Sequence, residues 1–492
     1  MSPESSKDLL AYTPMLHSRL FTETQKFRDH HFQPIKAGLS SPPRSKDTPA
    51  ELYLDGHPQI DRPLFVQFCA NSPDHLLEAA RYVEPYCDAV DLNLGCPQGI
   101  AKKGNYGAFL QEDWGLIYKL INKLHTNLNV PVTAKMRILE SKEKTLDYAK
   151  MILSAGASVI TVHGRQRDQK GHKTGLADWS VLRFLRQNLP PDTVIFANGN
   201  ILGHDDIWRC LEETGADGVM SAEGNLYDPT IFAKPPDAGH EGREYWRGRD
   251  GRGGYRMDAV FRRYMDIIYK HVLEEPPPAR KPLFLPSDPL YEDSPTDMNG
   301  SINAYGDEPP AKKQKRHKSH VKPTSPNLLA MQPHLFHLLR PLVSRHTDIR
   351  DALARCHAGD MTSYENVLRM VETATKQGLL DYEANPANYE DSEIPEGKEQ
   401  ETSNDMDESS LAAVRRCRRP WWVCQPYVRP LPKEAMQKGS LTMSKKDRRK
   451  LEEERILERA KNEQDRKSER EKLDEEDGME RAEMPREAMV AG

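Results

Sequence analysis

No apolar run in this chain comes near the ~18 residues that a membrane-crossing helix needs. The opening MSPESSKD is too polar for a secretory signal and lacks the arginine-rich, amphipathic look of a transit peptide. Seven cysteines at irregular spacing supply neither a disulfide framework nor a paired metal-ligand pattern. No Gly-x-Gly-x-x-Gly follows any strand-like segment, so the dinucleotide fingerprint of a doubly wound sheet is missing. These absences leave a soluble protein of a reducing compartment, expected in the cytoplasm or nucleus, with no membrane and no metal.

The chain of 492 residues exceeds one ordinary domain, and 37% apolar against 29% charged residues, with 37 prolines, look like a globular part diluted by polar segments. The net charge of −5 hides opposite charges held in separate blocks. From about residue 9 to 232, short strand-like runs alternate with helical ones. The strands are expected at Leu9–Tyr12, Leu64–Cys69, Ala89–Leu94, Val132–Met136, Val159–Val162, Val194–Ala197 and Gly218–Ser221. Helices are expected at Pro73–Tyr86, Asp113–Asn127, Glu143–Ala155, Trp179–Gln187 and Asp205–Glu213. Such alternation predicts an α/β fold with a parallel sheet, a (β/α)8 TIM-type barrel that is one strand short of the usual eight.

After the barrel of residues 1–232, the composition predicts a helical part over 233–380, broken by a disordered insert at about 276–326. An acidic linker (381–410), a small Trp/Pro-rich docking segment (411–435) and a charged tail (436–492), helical or disordered, follow. Leu335, Leu338, Leu339 and Leu342 share one helical face. The tail has no a/d seam for a coiled coil. AKKQKRHK has the composition of a nuclear signal or an RNA patch. RGRDGRGGYR reads either as an RNA-contacting loop or as a flexible linker.

The most informative stretch is DLNLGCPQGIAKKGNY, Asp91 to Tyr106. An apolar-rich strand stops at Gly95-Cys96-Pro97, where Gly permits a tight turn and Pro ends the ladder. Cys96 therefore stands at the carboxyl end of a strand, the end at which barrels carry their chemistry; read alone, it could equally be a small buried hydrophobe. Gln67 and Lys135 are polar residues inside apolar strands and need partners unless they face solvent. His163-Gly164-Arg165 and Asn198-Gly199-Asn200 close two later strands, and SAEGN, with Ala222, Glu223 and Gly224, follows the next. NGN alone is usually a tight turn, yet loops after the last two barrel strands are where phosphate is held. Phosphate there, Gln and Lys over a planar ring, and a Cys opposite suggest a flavin mononucleotide (FMN) site.

VDLNLGCPQ with KKGNYGAFL, then AKMRI, TVHGRQRDQKG and FANGNI in this order, resemble tRNA-dihydrouridine synthases, in particular the eukaryotic branch acting on uridines 16 and 17. The likeness covers about residues 9–270 strongly and 327–378 and 415–432 more loosely. It implies FMN as cofactor, NADPH or NADH as reductant, and tRNA as partner of a monomeric enzyme. It implies Cys96 as the general acid that protonates C5 of uracil while hydride reaches C6; an ordinary thiol, with a pKa of about 8.5, keeps its proton near pH 7. It places Gln67, Lys135 and His163 on the flavin ring and ribityl chain. The phosphate then falls to Asn198, Gly199, Asn200, Ala222, Glu223 and Gly224. Asn93 and Arg165 are placed on the uridine pocket. Lys102, Lys103, Arg137, Arg165 and Arg167 form a basic rim for tRNA phosphates, and the helical segment is placed against tRNA.

Two departures accompany the likeness. The family opens with a further strand, bearing an Ala-Pro-Met-type motif, that these residues do not include; a truncated gene model or alternative start is the expected cause, and a tRNA-binding protein with impaired catalysis is the competing reading. Glu223 stands where many relatives carry Arg, and a carboxylate there would repel phosphate.

Overall fold

A computed structural model describes residues 9–40, 42, 51–289, 325–389 and 410–432. The basic run Pro309–Lys318, most of the acidic linker and the whole of the charged tail lie outside the described residues. By compactness the chain divides at Arg429, and the second unit, from Pro430, is described over three residues only.

Eight strands form one parallel sheet: β1 (Ala11–Tyr12), β2 (Leu16–His17), β3 (Leu64–Cys69), β4 (Ala89–Leu94), β5 (Val132–Arg137), β6 (Val159–His163), β7 (Val194–Asn198) and β8 (Gly218–Met220). The order is β1-β3-β4-β5-β6-β7-β8, and β2 continues along β3 beyond β1. Helices α1 (Ser18–Glu23), α2 (Gln25–His31), α3 (Pro73–Val83), α4 (Gly99–Gly104), α5 (Trp114–His125), α6 (Lys142–Ser154), α7 (Trp179–Asn188), α8 (His204–Thr214) and α9 (Glu223–Tyr227) intervene. This is a curled TIM-type sheet, and among the described residues no ladder joins β8 back to β1. The strand positions expected from alternation are observed; the short β2, α1 and α2 were not foreseen.

Local chemistry sets the helix starts. Ser72, Asp113, Ser141 and Asp178 each accept a backbone N–H in the first turn of α3, α5, α6 and α7, removing donors that a helix leaves unpaired. Alternation sorts the strands. Val66, Phe68, Val90, Leu92, Ala134, Met136, Ile160, Val162 and Ala197 are buried beneath the helices in the main core. The residues between them, Gln67, Asp91, Asn93, Thr133, Lys135, Arg137, Thr161, His163 and Asn198, stand on the opposite face, as period-two geometry requires. Register aligns them across neighbouring strands: Gln67 with Asp91, Asn93 with Lys135, Arg137 with His163, and His163 with Asn198.

Beyond the sheet, β9 (Tyr245–Arg247) and β10 (Gly253–Tyr255) form an antiparallel hairpin. The RGRDGRGGYR segment is therefore neither a free RNA loop nor a linker. Arg247 pairs with Glu241, Arg252 with Asp250, and the buried Arg256 with the buried Asp258. Helices α10 (Met257–Ile267), α11 (Pro326–Leu338), α12 (Arg340–Arg345), α13 (Thr347–Arg355) and α14 (Met361–Ala384) build a second core. Leu335, Leu338, Leu339 and Leu342 are fully buried in it. Residues 276–289, at the start of the stretch expected to be disordered, are held in place: Arg280 pairs with Glu365 and Asp266, Arg243 with Asp288, and Leu283 is buried. Among the described residues no helix is long and apolar enough to cross a membrane.

After α15 (Ser410–Cys417) the chain returns to the hairpin, where Met257 N–H donates to Trp422 O and Cys424 N–H to Tyr255 O. Trp422 is fully buried, with ring centroids of Tyr389, Trp421 and Trp246 at 5.0, 5.1 and 6.2 Å. Trp422→Ala is expected to lower unfolding stability by about 3–5 kcal/mol, the usual cost of an aromatic cavity. Urea denaturation measures it, and a loss below about 1 kcal/mol would show that the return segment is not part of the cooperative core.

Candidate active site

Burying a polar group is costly unless it is hydrogen-bonded, and the polar face of the sheet is accordingly wired together. Asp91, fully buried, accepts from Gln67 Nε2 at 2.9 Å and from Thr133 Oγ1 at 2.7 Å. Burial pushes its carboxyl up to about 6, against the pull of those two bonds and of Lys135. Gln67 Oε1 in turn accepts from Asn93 Nδ2 at 2.7 Å. Asn93 Oδ1 then accepts from the backbone N–H of Gly95 at 3.1 Å and of Cys96 at 2.9 Å. A continuous relay thus runs from the sheet interior to the turn that carries the thiol.

Six of the seven cysteines are buried; Cys96 alone is partly open, and none is in a disulfide. Its carbonyl accepts from Ala108 N–H at 3.1 Å, and it packs in a small cluster with Cys69, Ala101 and Tyr106. Lys135, on the neighbouring strand, is drawn down to about 8, chiefly by burial and then by Arg137, with Asp91 and Cys96 opposing. Its ammonium makes no hydrogen bond or ion pair within the described residues, an unusual state for a partly buried charge.

His163 is held far below its usual value by burial and then by Lys135, Arg137 and Arg165. It is therefore neutral at physiological pH. Arg165 Nη1 lies 3.1 Å from His163 Nε2. A guanidinium can only donate, so Nε2 accepts and Nδ1 carries the proton.

The arginines expected in the basic rim are also engaged within the fold. Arg137 is buried and clamps loops: Nε donates to Gly95 O at 2.8 Å and Nη1 to Gln166 O at 2.9 Å. Arg165 donates to Gly175 O at 3.0 Å and to Asn200 Oδ1 at 2.9 Å. Arg167 pairs with Glu112 and lies 5.2 Å from the Phe109 ring, and Lys170 donates to Pro97 O at 2.6 Å. These cations tie the loop after β6 to the Cys96 loop. Asn93, expected on the uridine pocket, braces the Cys96 turn. Lys102 and Lys103 stand exposed in the last turn of α4, as do Lys170 and Lys173 in the loop after β6.

Two turns lie further round the sheet. Asn198 Nδ2 donates to Met220 O at 2.9 Å, joining β7 to β8. Gly199 has φ of 115°, and a Cβ there would come within 2.6 Å of Ala177 Cβ. Asn200, at φ 62°, is locked by Arg165 and by both backbone groups of Ala177. Gly224 is equally tight: a Cβ would meet Ile201 O and Ser221 Oγ at 2.7 Å. Only glycine lets the backbone approach so closely at these two turns. Glu223 does not face a phosphate uncompensated: Arg429 Nε lies 3.0 and 3.2 Å from its two oxygens.

Sequence reasoning missed Asp91, although a charged residue inside a buried strand carried the same signal as Gln67. Arg429 left no such signal, since its partner is 206 positions away. Among the described residues no group of three His, Cys, Asp or Glu is placed to hold a metal ion.

A TIM-type sheet with a polar interior, a semi-exposed thiol on a post-strand turn and glycine turns after its last strands defines a ligand-binding α/β enzyme architecture. The family profile described as dihydrouridine synthase matches residues 1–245. The tRNA-dihydrouridine(16/17) synthase [NAD(P)(+)] of Schizosaccharomyces pombe is 42% identical over 423 residues, 86% of this chain and 82% of the relative. The protein of the same name from Saccharomyces cerevisiae is 41% identical, over 86% of this chain and 78% of its own. A tRNA-dihydrouridine(16/17) synthase [NAD(P)(+)]-like protein of Rattus norvegicus is 33% identical, over 90% and 73%. The chain belongs to the dihydrouridine synthase family.

Lys135 yields a titration test. Its value near 8 lies below the ordinary lysine value of 10.5. The folded state thus holds fewer protons between those pH values, and this residue's contribution to stability rises with pH across the window. With lysines carrying ¹³C-methyl labels, one resonance is expected to titrate near 8 and to vanish in Lys135→Arg. If every lysine titrates above 10, the described burial is wrong.

Proposed function

We propose that this protein reduces the C5–C6 double bond of uridines 16 and 17 in tRNA, using FMN and NADPH or NADH, with Cys96 as the general acid. The observation that carries the reading is the pairing of the one cysteine open to solvent with an unpartnered, part-buried lysine on the adjacent strand, inside a family whose full-length relatives bear that activity in their names.

The residues present suit a flavin nucleotide. Lys135 offers an ammonium in need of an acceptor, and Gly199 and Gly224 let the backbone after β7 and β8 pack against Ala177, Ile201 and Ser221 where a Cβ would clash, leaving main-chain N–H groups at the two turns as candidate phosphate donors. Gln67, Lys135 and His163 would meet the ring and ribityl chain. Asn198, Gly199, Asn200, Ala222, Glu223 and Gly224 would surround the phosphate, with Arg165 fixing Asn200. When bound, FMN supplies the hydride that adds to C6 of the uracil. Cys96 gives its proton to C5, and Asn93 holds the backbone of that turn so the thiol keeps one position. Neutral His163 adds no second positive charge beside Lys135.

A uracil in folded tRNA reaches such a site only when its nucleotide is splayed from the stack. Lys102 and Lys103, exposed beside Cys96, supply the salt-dependent attraction to phosphates. The neighbouring arginines act as struts for the mouth.

Cys96→Ala is expected to keep flavin colour and tRNA affinity while uridine reduction falls by roughly 10²–10⁴, the range of a positioned acid. Mass spectrometry of dihydrouridine at positions 16 and 17 checks it. Undiminished activity would remove Cys96 from its role, and a full-length protein that binds tRNA but refuses FMN would leave only the non-catalytic reading.

A further inference from the structure

The segment from α15 onward has no part in the chemistry above, yet it closes on both turns assigned to the FMN phosphate. Arg416 Nη1 lies 2.9 Å from Asp206 Oδ1. That carboxylate is almost fully buried and already accepts from the N–H groups of Leu202 and Gly203, where the chain leaves the Gly199 turn for α8. Thirteen residues later, Arg429 takes both oxygens of Glu223. Tyr427 secures the approach: its ring lies 5.7 Å from Tyr227 at the end of α9, 3.9 Å from the Arg340 guanidinium and 5.8 Å from that of Arg429.

The Glu223–Arg429 pair matters for its place more than for its strength. Its side chains are 46% and 45% exposed, and ion pairs so exposed add little stability. Arg165, however, feels both members, the carboxylate favouring its charge and Arg429 opposing it. Two guanidinium groups and one carboxylate therefore share the neighbourhood of the Asn200 turn. Without Arg429 that neighbourhood would be neutral, and Glu223 would repel an arriving dianion.

We infer that Arg429, delivered by the C-terminal segment, is a phosphate-binding residue for FMN: its Nε/Nη2 edge cancels Glu223, and the donors of Nη1, which Glu223 does not engage, are offered to the phosphate oxygens. The inference rests on the FMN reading above and adds a cofactor contact from outside the sheet.

The test uses the full-length chain stripped of flavin and titrated with FMN or with riboflavin, which lacks the phosphate; flavin fluorescence reports binding. Arg429→Ala is expected to weaken FMN binding roughly tenfold, the worth of one charge-assisted contact, and to leave riboflavin binding unchanged. Glu223→Gln is expected to act in the opposite direction and tighten FMN. Both sites are exposed, and unchanged melting temperatures confirm that the variants are folded. If wild type binds FMN and Arg429→Ala binds it equally well, the inference fails while the cofactor reading stands. It fails in the same way if both variants weaken FMN and riboflavin alike, the behaviour of a merely structural pair. If wild type binds neither flavin, the cofactor reading itself falls.

Discussion

One carboxamide links the interior of the sheet to its chemistry. Asn93 donates its amide N–H to Gln67, and its oxygen accepts from two consecutive backbone N–H groups of the Cys96 turn. Gln67 is fixed in turn by Asp91, and Asp91 by Thr133 on the next strand. A parallel barrel usually fills its centre with branched apolar side chains. Here the centre is polar, and each group is tolerated only through its neighbour. Position and chemistry are therefore coupled: the network that satisfies the buried donors also sets where the thiol stands.

The same logic governs the loops around the mouth. Arg137, Arg165 and Arg167 were natural candidates for grasping an RNA backbone, but folding uses them to pin one loop to another. A guanidinium with several rigid donors can gather several carbonyls at once, which a lysine cannot do. The lysines of the mouth, Lys102, Lys103, Lys170 and Lys173, are the charges that face solvent. At the far end, the aromatic cluster around Trp422 and the buried Arg256–Asp258 pair bind hairpin, helices and return segment together. Removing either member of that pair would strand a charge away from water, so the two stand or fall together.

Much of this was legible in the residues. Alternation in LFVQFC and AVDLNL located β3 and β4 to the residue, because one sheet face packs on helices and the other does not. Gly95-Cys96-Pro97 marked the turn, since those residues admit few other backbones. Partnership was not legible. Nothing near Arg137 announces that its acceptor is Gly95, 42 positions away, and nothing near Glu223 announces Arg429. Local propensity sees the cost of a polar residue in a strand, but only the closed fold reveals which neighbour offsets it. RGRDGRGGYR misled for the same reason: its glycines and arginines suit a flexible loop until the return segment pairs with it, Cys424 N–H donating to Tyr255 O and Val423 bridging to Arg256.

Asn93, bonded to the backbone of the Cys96 turn, is expected to hold the proposed acid in place and to take no part in the proposed reduction of flavin by NADPH. Single-turnover kinetics of Asn93→Ala test it most directly, with reduction of bound flavin by NADPH followed separately from its reoxidation by tRNA. The expected result is NADPH-driven reduction at close to the wild-type rate and tRNA-driven reoxidation slowed by roughly one to two orders of magnitude, the cost of lost positioning. Reoxidation at the wild-type rate would show that the turn keeps its shape unaided and would rule out this role for Asn93.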